Sequence, residues 1–172
     1  ADCGDAFSPW VGPYTFYLGY CKPAPSSVNG TGITNVALGT LNNATGAETG
    51  NYGDYTALTG GDVQQTLNAN VAITYSTGTT YGTKIWVDWN NDLDFADAGE
   101  LMYTGLSAAT NPTTLSASFN VGTHAVGAYR MRIGGTDTDG GPSGPCYTGT
   151  FGSFEDYTLN ITAPPSCIAP TG

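Results

Sequence analysis

The stretch "TTLSASFNVGTHAVGAYRMRIGG", Thr113 to Gly135, decides the fold. In "TTLSASFNV" the residues Leu115, Ala117 and Phe119 share one face of an extended chain. In "GAYRMRIGG" Tyr129, Met131 and Ile133 do the same, while Arg130 and Arg132 point the other way. Two strands, each with one face expected buried and one wet, are thus joined by the turn "VGTHAVG".

The same period-2 pattern extends outward from this pair. It recurs in "GITNVALG" (Gly32 to Gly39), "NVAITYST" (Asn70 to Thr77), "YGTKIWVDW" (Tyr81 to Trp89) and "EDYTLNIT" (Glu155 to Thr162), with shorter strands expected at "DYTAL" and "ELMYT". Gly-, Asn- and Pro-rich turns separate these segments, and no long 3.6-residue stripe intervenes. The expectation is all-β: an antiparallel β-sandwich, with a jelly-roll-like variant equally compatible. Residues 1–22 form an aromatic extension or hairpin, residues 23–162 the sandwich, and residues 163–172 a Pro-rich linker to a following module.

Composition narrows the setting. Of 172 residues 14 are acidic and 4 basic, a net charge of −10 that repels phosphate backbones and anionic lipid heads; nucleic acid is not an expected partner. No apolar run has the length of a membrane helix, so membrane insertion is not expected either. With 10% charged residues, the surface is wetted by Thr, Asn, Ser and Gly, which suits a secreted or cell-surface protein. Cys3, Cys21, Cys146 and Cys167 lack CxxC spacing, so they read as two disulfides rather than a zinc site, with three pairings open.

The strand "KIWVDW" runs into a carboxylate-rich loop. Asp88, Asn90, Asp92 and Asp94 alternate, and Glu100 closes the run, so that a curling backbone can aim hard oxygens at one point. Calcium (Ca2+) takes six to eight such oxygens at about 2.3–2.6 Å, which makes this an EF-like loop. It is not an EF-hand, because Glu100 falls one place late and Leu93 stands where an EF-hand has glycine. Glu155 and Asp156 open the last strand on opposite faces; Glu155 is expected either to add a ligand to the ion or to pair with Arg130 or Arg132.

Catalysis lacks its parts. His124, the single histidine, reads as a surface turn residue, and neither a serine elbow nor HExxH occurs. A glycoside hydrolase built on Glu100 and Glu155 is the remaining enzymatic alternative, disfavoured because both sit in acidic clusters rather than apolar pockets. A non-catalytic module for polysaccharide would instead use exposed rings; Trp10 and Tyr14 lie in the aromatic N-terminal stretch, and Trp86 is the ring expected to project from its strand. A third reading is a structural segment of a surface adhesin or fibre, which needs no small ligand.

Taken in order, "WVDWNNDLDFADAGEL", "GAYRMRI" and "GSFEDYTLNIT" resemble the GEVED domain of secreted bacterial proteins, and "GITNVALGTLNNATG" and "YGDYT" sit where that family keeps its opening segments. The resemblance runs over about residues 20–162. The naming motif departs here: Ser153 replaces its first glutamate, only Glu155 and Asp156 carry over, and Leu93 replaces the usual loop glycine. The resemblance implies a β-sandwich module appended to larger exported proteins, among them proteases, polysaccharide-degrading enzymes and adhesins. The trailing "PPSCIAPTG" is similar to the entry of a fibronectin type III module.

Overall fold

The computed structural model describes residues 19–166. Cys3, Trp10, Tyr14 and Cys167 lie outside the described residues, as do most of the 1–22 extension and of the 163–172 linker. The strands are β1 (Gly32–Leu38), β2 (Leu41–Ala44), β3 (Tyr52–Asp54), β4 (Asp62–Gln64), β5 (Asn68–Ser76), β6 (Gly82–Val87), β7 (Leu101–Leu106), β8 (Thr113–Asn120), β9 (Gly127–Thr136) and β10 (Ser153–Thr162).

They form two sheets. One has the order β2-β1-β5-β8; the other runs β3-β10-β9-β6-β7, with β4 also pairing β10. The expected faces of β8 and β9 pack against each other's sheet: Ala117 and Phe119 join Val36, Ile73 and Tyr75 from the first sheet, and Met131 and Ile133 join Ile85, Tyr157 and Leu159 from the second, in one buried core. The sandwich follows from this alternation, since each sheet has one apolar face to hide.

Two details depart from the sequence reading. The sheets are not wholly antiparallel, because β3 and β4 run parallel to β10 along its outer edge. These short pieces belong to the chain crossing from β2 to β5, and they cover an edge that would otherwise stay unpaired. The strand order also differs from the jelly-roll variant: the pairs β1-β2, β6-β7 and β9-β10 each stay within one sheet, so β1, β5 and β8 face β6, β7, β9 and β10 as in immunoglobulin-type sandwiches.

The outer face of the second sheet is covered, not wet. The segment after Gly19 and the loop between β9 and β10 lie across it, joined by the Cys21–Cys146 disulfide and by backbone bonds from Ala24, Ser26 and Ser27 to the carbonyls of Tyr147, Gly149 and Thr150. Beneath this cover Trp86, Phe95 and Phe154 form a second small core with Tyr20, Tyr52 and Tyr147. Trp86 is therefore 3% exposed, contrary to its expected role as a projecting ring. Arg132 is fully buried under the same cover; its Nε and Nη2 donate to the two oxygens of Asp156, each at 2.7 Å, and its Nη1 donates to the carbonyls of Cys21 and Pro145. Five donors in a rigid fork let one arginine satisfy a buried carboxylate and fasten the cover together.

Candidate functional site: an acidic loop and an adjoining cleft

The loop between β6 and β7 begins where Asp88 leaves β6 with its N–H donating to the Arg130 carbonyl. Its curl is built from side chains that cap their own backbone. Asp88 Oδ1 and Oδ2 accept from the N–H groups of Asn91 and Leu93, and then Asn90 accepts from Asp92, Asp92 from Asp94, and Asp94 from Ala96. This run of Asx-type turns is what alternating Asp and Asn favour over a ladder. Leu93 adopts φ +77°, the conformation for which the glycine of an EF-hand serves.

An aromatic anchor sets the loop's position. Phe95, the ring among the acids, enters the second core, 5.2 Å from the Tyr20 ring and 4.9 Å from the Arg132 guanidinium. Tyr20 donates its hydroxyl to Asp88 at 2.5 Å, so the segment that covers the sheet also touches the loop. Burial, and then the bond to Asp88, push the Tyr20 phenol well above its ordinary range. The sequence signal for Phe95 was available: an aromatic side chain in a solvated acidic loop has no reason to be there unless it is buried.

Of the expected ligands, the fold brings Asp88, Asp92 and Glu100 together, with one carboxylate oxygen from each lying within 4.8 Å of the others. Asp88 is 0% and Glu100 2% exposed. Glu100 accepts from the N–H groups of Trp89 and Asp97, yet burial and the neighbouring Asp88 and Asp97 hold its carboxyl above the usual range. Asn90 stands beside them, its amide donating to Asp92 and Asp97. Asp94 is not in the converging group.

Glu155 is elsewhere. It lies on the core-facing side of β10 with Tyr157, Leu159 and Ile161, and its carboxylate accepts from the hydroxyls of Thr45 and Tyr157. It joins neither the loop nor an arginine; Asp156, on the opposite face, takes both Arg130 and Arg132. Burial pushes Glu155 up to about 7 despite its two hydroxyl donors. Glu155 does not line the cleft that Glu100 lines, so the glycosidase pairing has no shared cleft.

The donor set suits a hard divalent cation. All converging atoms are carboxylate oxygens, and ligands about 2.4 Å from one centre are at most about 4.8 Å apart, a limit within which the three oxygens lie. Histidine and thiol ligands of a softer metal are absent from the group.

Beside the loop opens a cleft of about 400 Å³, lined by Trp89, Asn90, Asp97, Ala98, Gly99, Glu100 and His124. One wall is a stacked pair: Trp89 from the end of β6 and His124 from the β8–β9 turn lie 3.9 Å apart and 3° from parallel, with Tyr129 edge-on to Trp89 at 5.1 Å. A register shift in the β6–β7 pairing leaves Met102 unpaired, and its Sδ accepts the Trp89 indole N–H at 3.2 Å. His124 is thus not a plain surface turn residue, and burial lowers its imidazole below the ordinary value. Sequence reasoning missed this pair because the two residues are far apart in the chain.

Fold and site together define an all-β sandwich bearing an acidic loop. Residues 82–160 match the family model of the GEVED domain, from β6 into β10, a shorter span than the motifs suggest. Among solved structures, the chain is similar to the CARDB domain of a Pyrococcus furiosus protein crystallised with di-metal ions, at 10% identity and a TM-score of 0.40, over 83% of this chain and 98% of that one. No curated protein matches the chain. No helix among the described residues is long and apolar enough to cross a membrane.

Proposed function

We propose that the chain is a non-catalytic, calcium-binding accessory module of a secreted or cell-surface protein, recognising polysaccharide or mediating adhesion, and joined to other modules of the same polypeptide. The observation that carries the reading is the convergence of Asp88, Asp92 and Glu100 within 4.8 Å, two of them buried. Buried carboxylates so close repel one another unless a positive charge offsets them. Asp88, Asp92 and Glu100 would hold the ion, and Asn90, whose amide now donates to Asp92 and Asp97, would add its oxygen on turning over. The ion would supply charge compensation that fixes the loop, and its role is structural. The Cys21–Cys146 disulfide supports an oxidising, extracellular setting.

An ion bound only by the folded state stabilises it by about 2.7 kcal/mol at one hundred times its dissociation constant. Thermal unfolding of the 172-residue chain should therefore shift upward in millimolar calcium and return on chelation. The Asp88→Asn, Asp92→Asn double variant should show almost no shift. Identical melting of the unsubstituted chain in calcium and in chelator would overturn the proposal.

A further inference from the structure

We infer that the cleft between the Trp89–His124 pair and residues 97–100 is a binding subsite for a neutral glycan. The inference rests on the polysaccharide reading above and gives it a place and a chemical class; the cleft shares Asn90 and Glu100 with the cation site, but its aromatic wall, Trp89 and His124, takes no part in holding the ion.

The cleft has the parts that sugar recognition needs. A pyranose ring presents a flat C–H face and a rim of hydroxyl groups, so it fits a site with an aromatic wall on one side and hydrogen-bonding groups on the other. Trp89 and His124 line the cleft as one face-to-face stack, in which each ring braces the other. Tyr129 and the bond from the Trp89 indole to Met102 fix its orientation before any ligand arrives, and a preset wall lowers the ordering cost of binding. Asn90 and the Asp97 carboxylate line the cleft with it, and the volume of about 400 Å³ falls within the usual range for small-ligand pockets.

Charge selects among ligands. Neither Lys nor Arg lines the cleft, Asp97 and Glu100 do, and the chain carries −10. Uronates, sulfated glycans and phosphates would be repelled, whereas neutral hydroxyls can donate to the carboxylates. A lysine or arginine side chain of a partner would also meet attraction here. Against that occupant, the proposed ion would already offset the charge of Glu100, and Asp97 accepts the Asn90 amide, which leaves less uncompensated charge for a basic side chain.

The test is an NMR titration of the 15N-labelled chain, in calcium and in chelator. The probes are soluble neutral oligosaccharides of gluco, xylo, manno and galacto configuration, oligogalacturonate, and a lysine- and arginine-rich peptide. At least one neutral oligosaccharide should shift the Trp89 indole and His124 resonances, and His124→Ala should weaken it by about tenfold or more. Trp89→Phe, which keeps an aromatic wall should Trp89→Ala not fold, should retain binding at reduced affinity. Binding that persists unchanged in His124→Ala and Trp89→Phe overturns the site, and so does binding of the peptide or of oligogalacturonate alone. If no neutral oligosaccharide shifts these resonances while calcium still raises the melting temperature, the cleft proposal fails and the cation proposal stands. Glycan binding at the cleft with no calcium effect on melting gives the reverse outcome.

Discussion

At Leu93 the backbone turns through φ +77° in the middle of the acidic loop, and the side chain is left 43% exposed. An L-residue in the left-handed region costs about 1–2 kcal/mol that glycine does not incur. Leu93→Gly should therefore stabilise the chain by up to about 1 kcal/mol once the extra chain entropy of glycine is counted, read as a higher urea midpoint at unchanged slope. Glu155 stores a cost of another kind. Its folded pKa is raised by burial to about 7, well above the usual glutamate value. Because the folded state holds this proton more tightly than the unfolded chain, the group's contribution is fully present below about pH 4.3 and is lost as pH rises toward 7. The loss reaches at most about 3 kcal/mol. Urea denaturation at pH 5 and pH 8 should show the unsubstituted chain weaker at the higher pH. In Glu155→Gln the difference should shrink markedly, leaving the part due to Glu100, which is raised in the same direction, less an opposing part from His124, whose lowered imidazole favours the higher pH.

At the scale of elements, the acidic loop and the cover over β6, β9 and β10 meet through a few side chains. Phe95 joins the second core, Tyr20 bonds Asp88, and Arg132 ties Asp156 to the carbonyls of Cys21 and Pro145. Removing one member of a buried ion pair leaves the other uncompensated, at a cost of about 3–5 kcal/mol. Arg132→Met should lower stability by that amount, and Arg132→Met with Asp156→Leu by less than the sum of the single changes, a non-additivity that a double-mutant cycle in urea measures directly. How much of this was legible depends on range. Strands β1, β5, β6, β8, β9 and β10 are long enough for alternation to show, whereas β2, β3 and β4 have three or four residues and carry no period. Alternation placed Arg130 and Arg132 on the outer face correctly but could not show that Cys21 and Pro145, distant in the chain, would close over it. For Glu155 the signal was local and present: it shares parity with Tyr157, Leu159 and Ile161, which marks the core side of β10. Asp88 and Asp92 were readable as converging because their spacing lies within one loop, while the Trp89–His124 wall depends on β6 and the β8–β9 turn meeting at one end of the sandwich.

The whole molecule is held by a crosslink that composition could anticipate and only the fold could assign. Of three possible pairings among four cysteines, the structure forms Cys21–Cys146, spanning 125 residues and enclosing nearly every strand. Such a loop restricts the unfolded chain, by about 2–5 kcal/mol in the chain-entropy account, and here it also fastens the cover whose underside holds Arg132 and the anchor of the acidic loop. Cys21→Ala with Cys146→Ala should therefore do two things: lower the urea midpoint by an equivalent amount, and loosen the cover, since Tyr20 and the Cys21 carbonyl lose their tether while β6 and β9 keep their ladders. Hydrogen exchange separates these effects. Amides of Ala24, Ser26 and Ser27, bonded to the loop between β9 and β10, should lose protection well before those of β5 or β9. Uniform loss across both sheets would mean that the disulfide acts on the unfolded chain alone, and that Arg132 suffices to keep the cover in place.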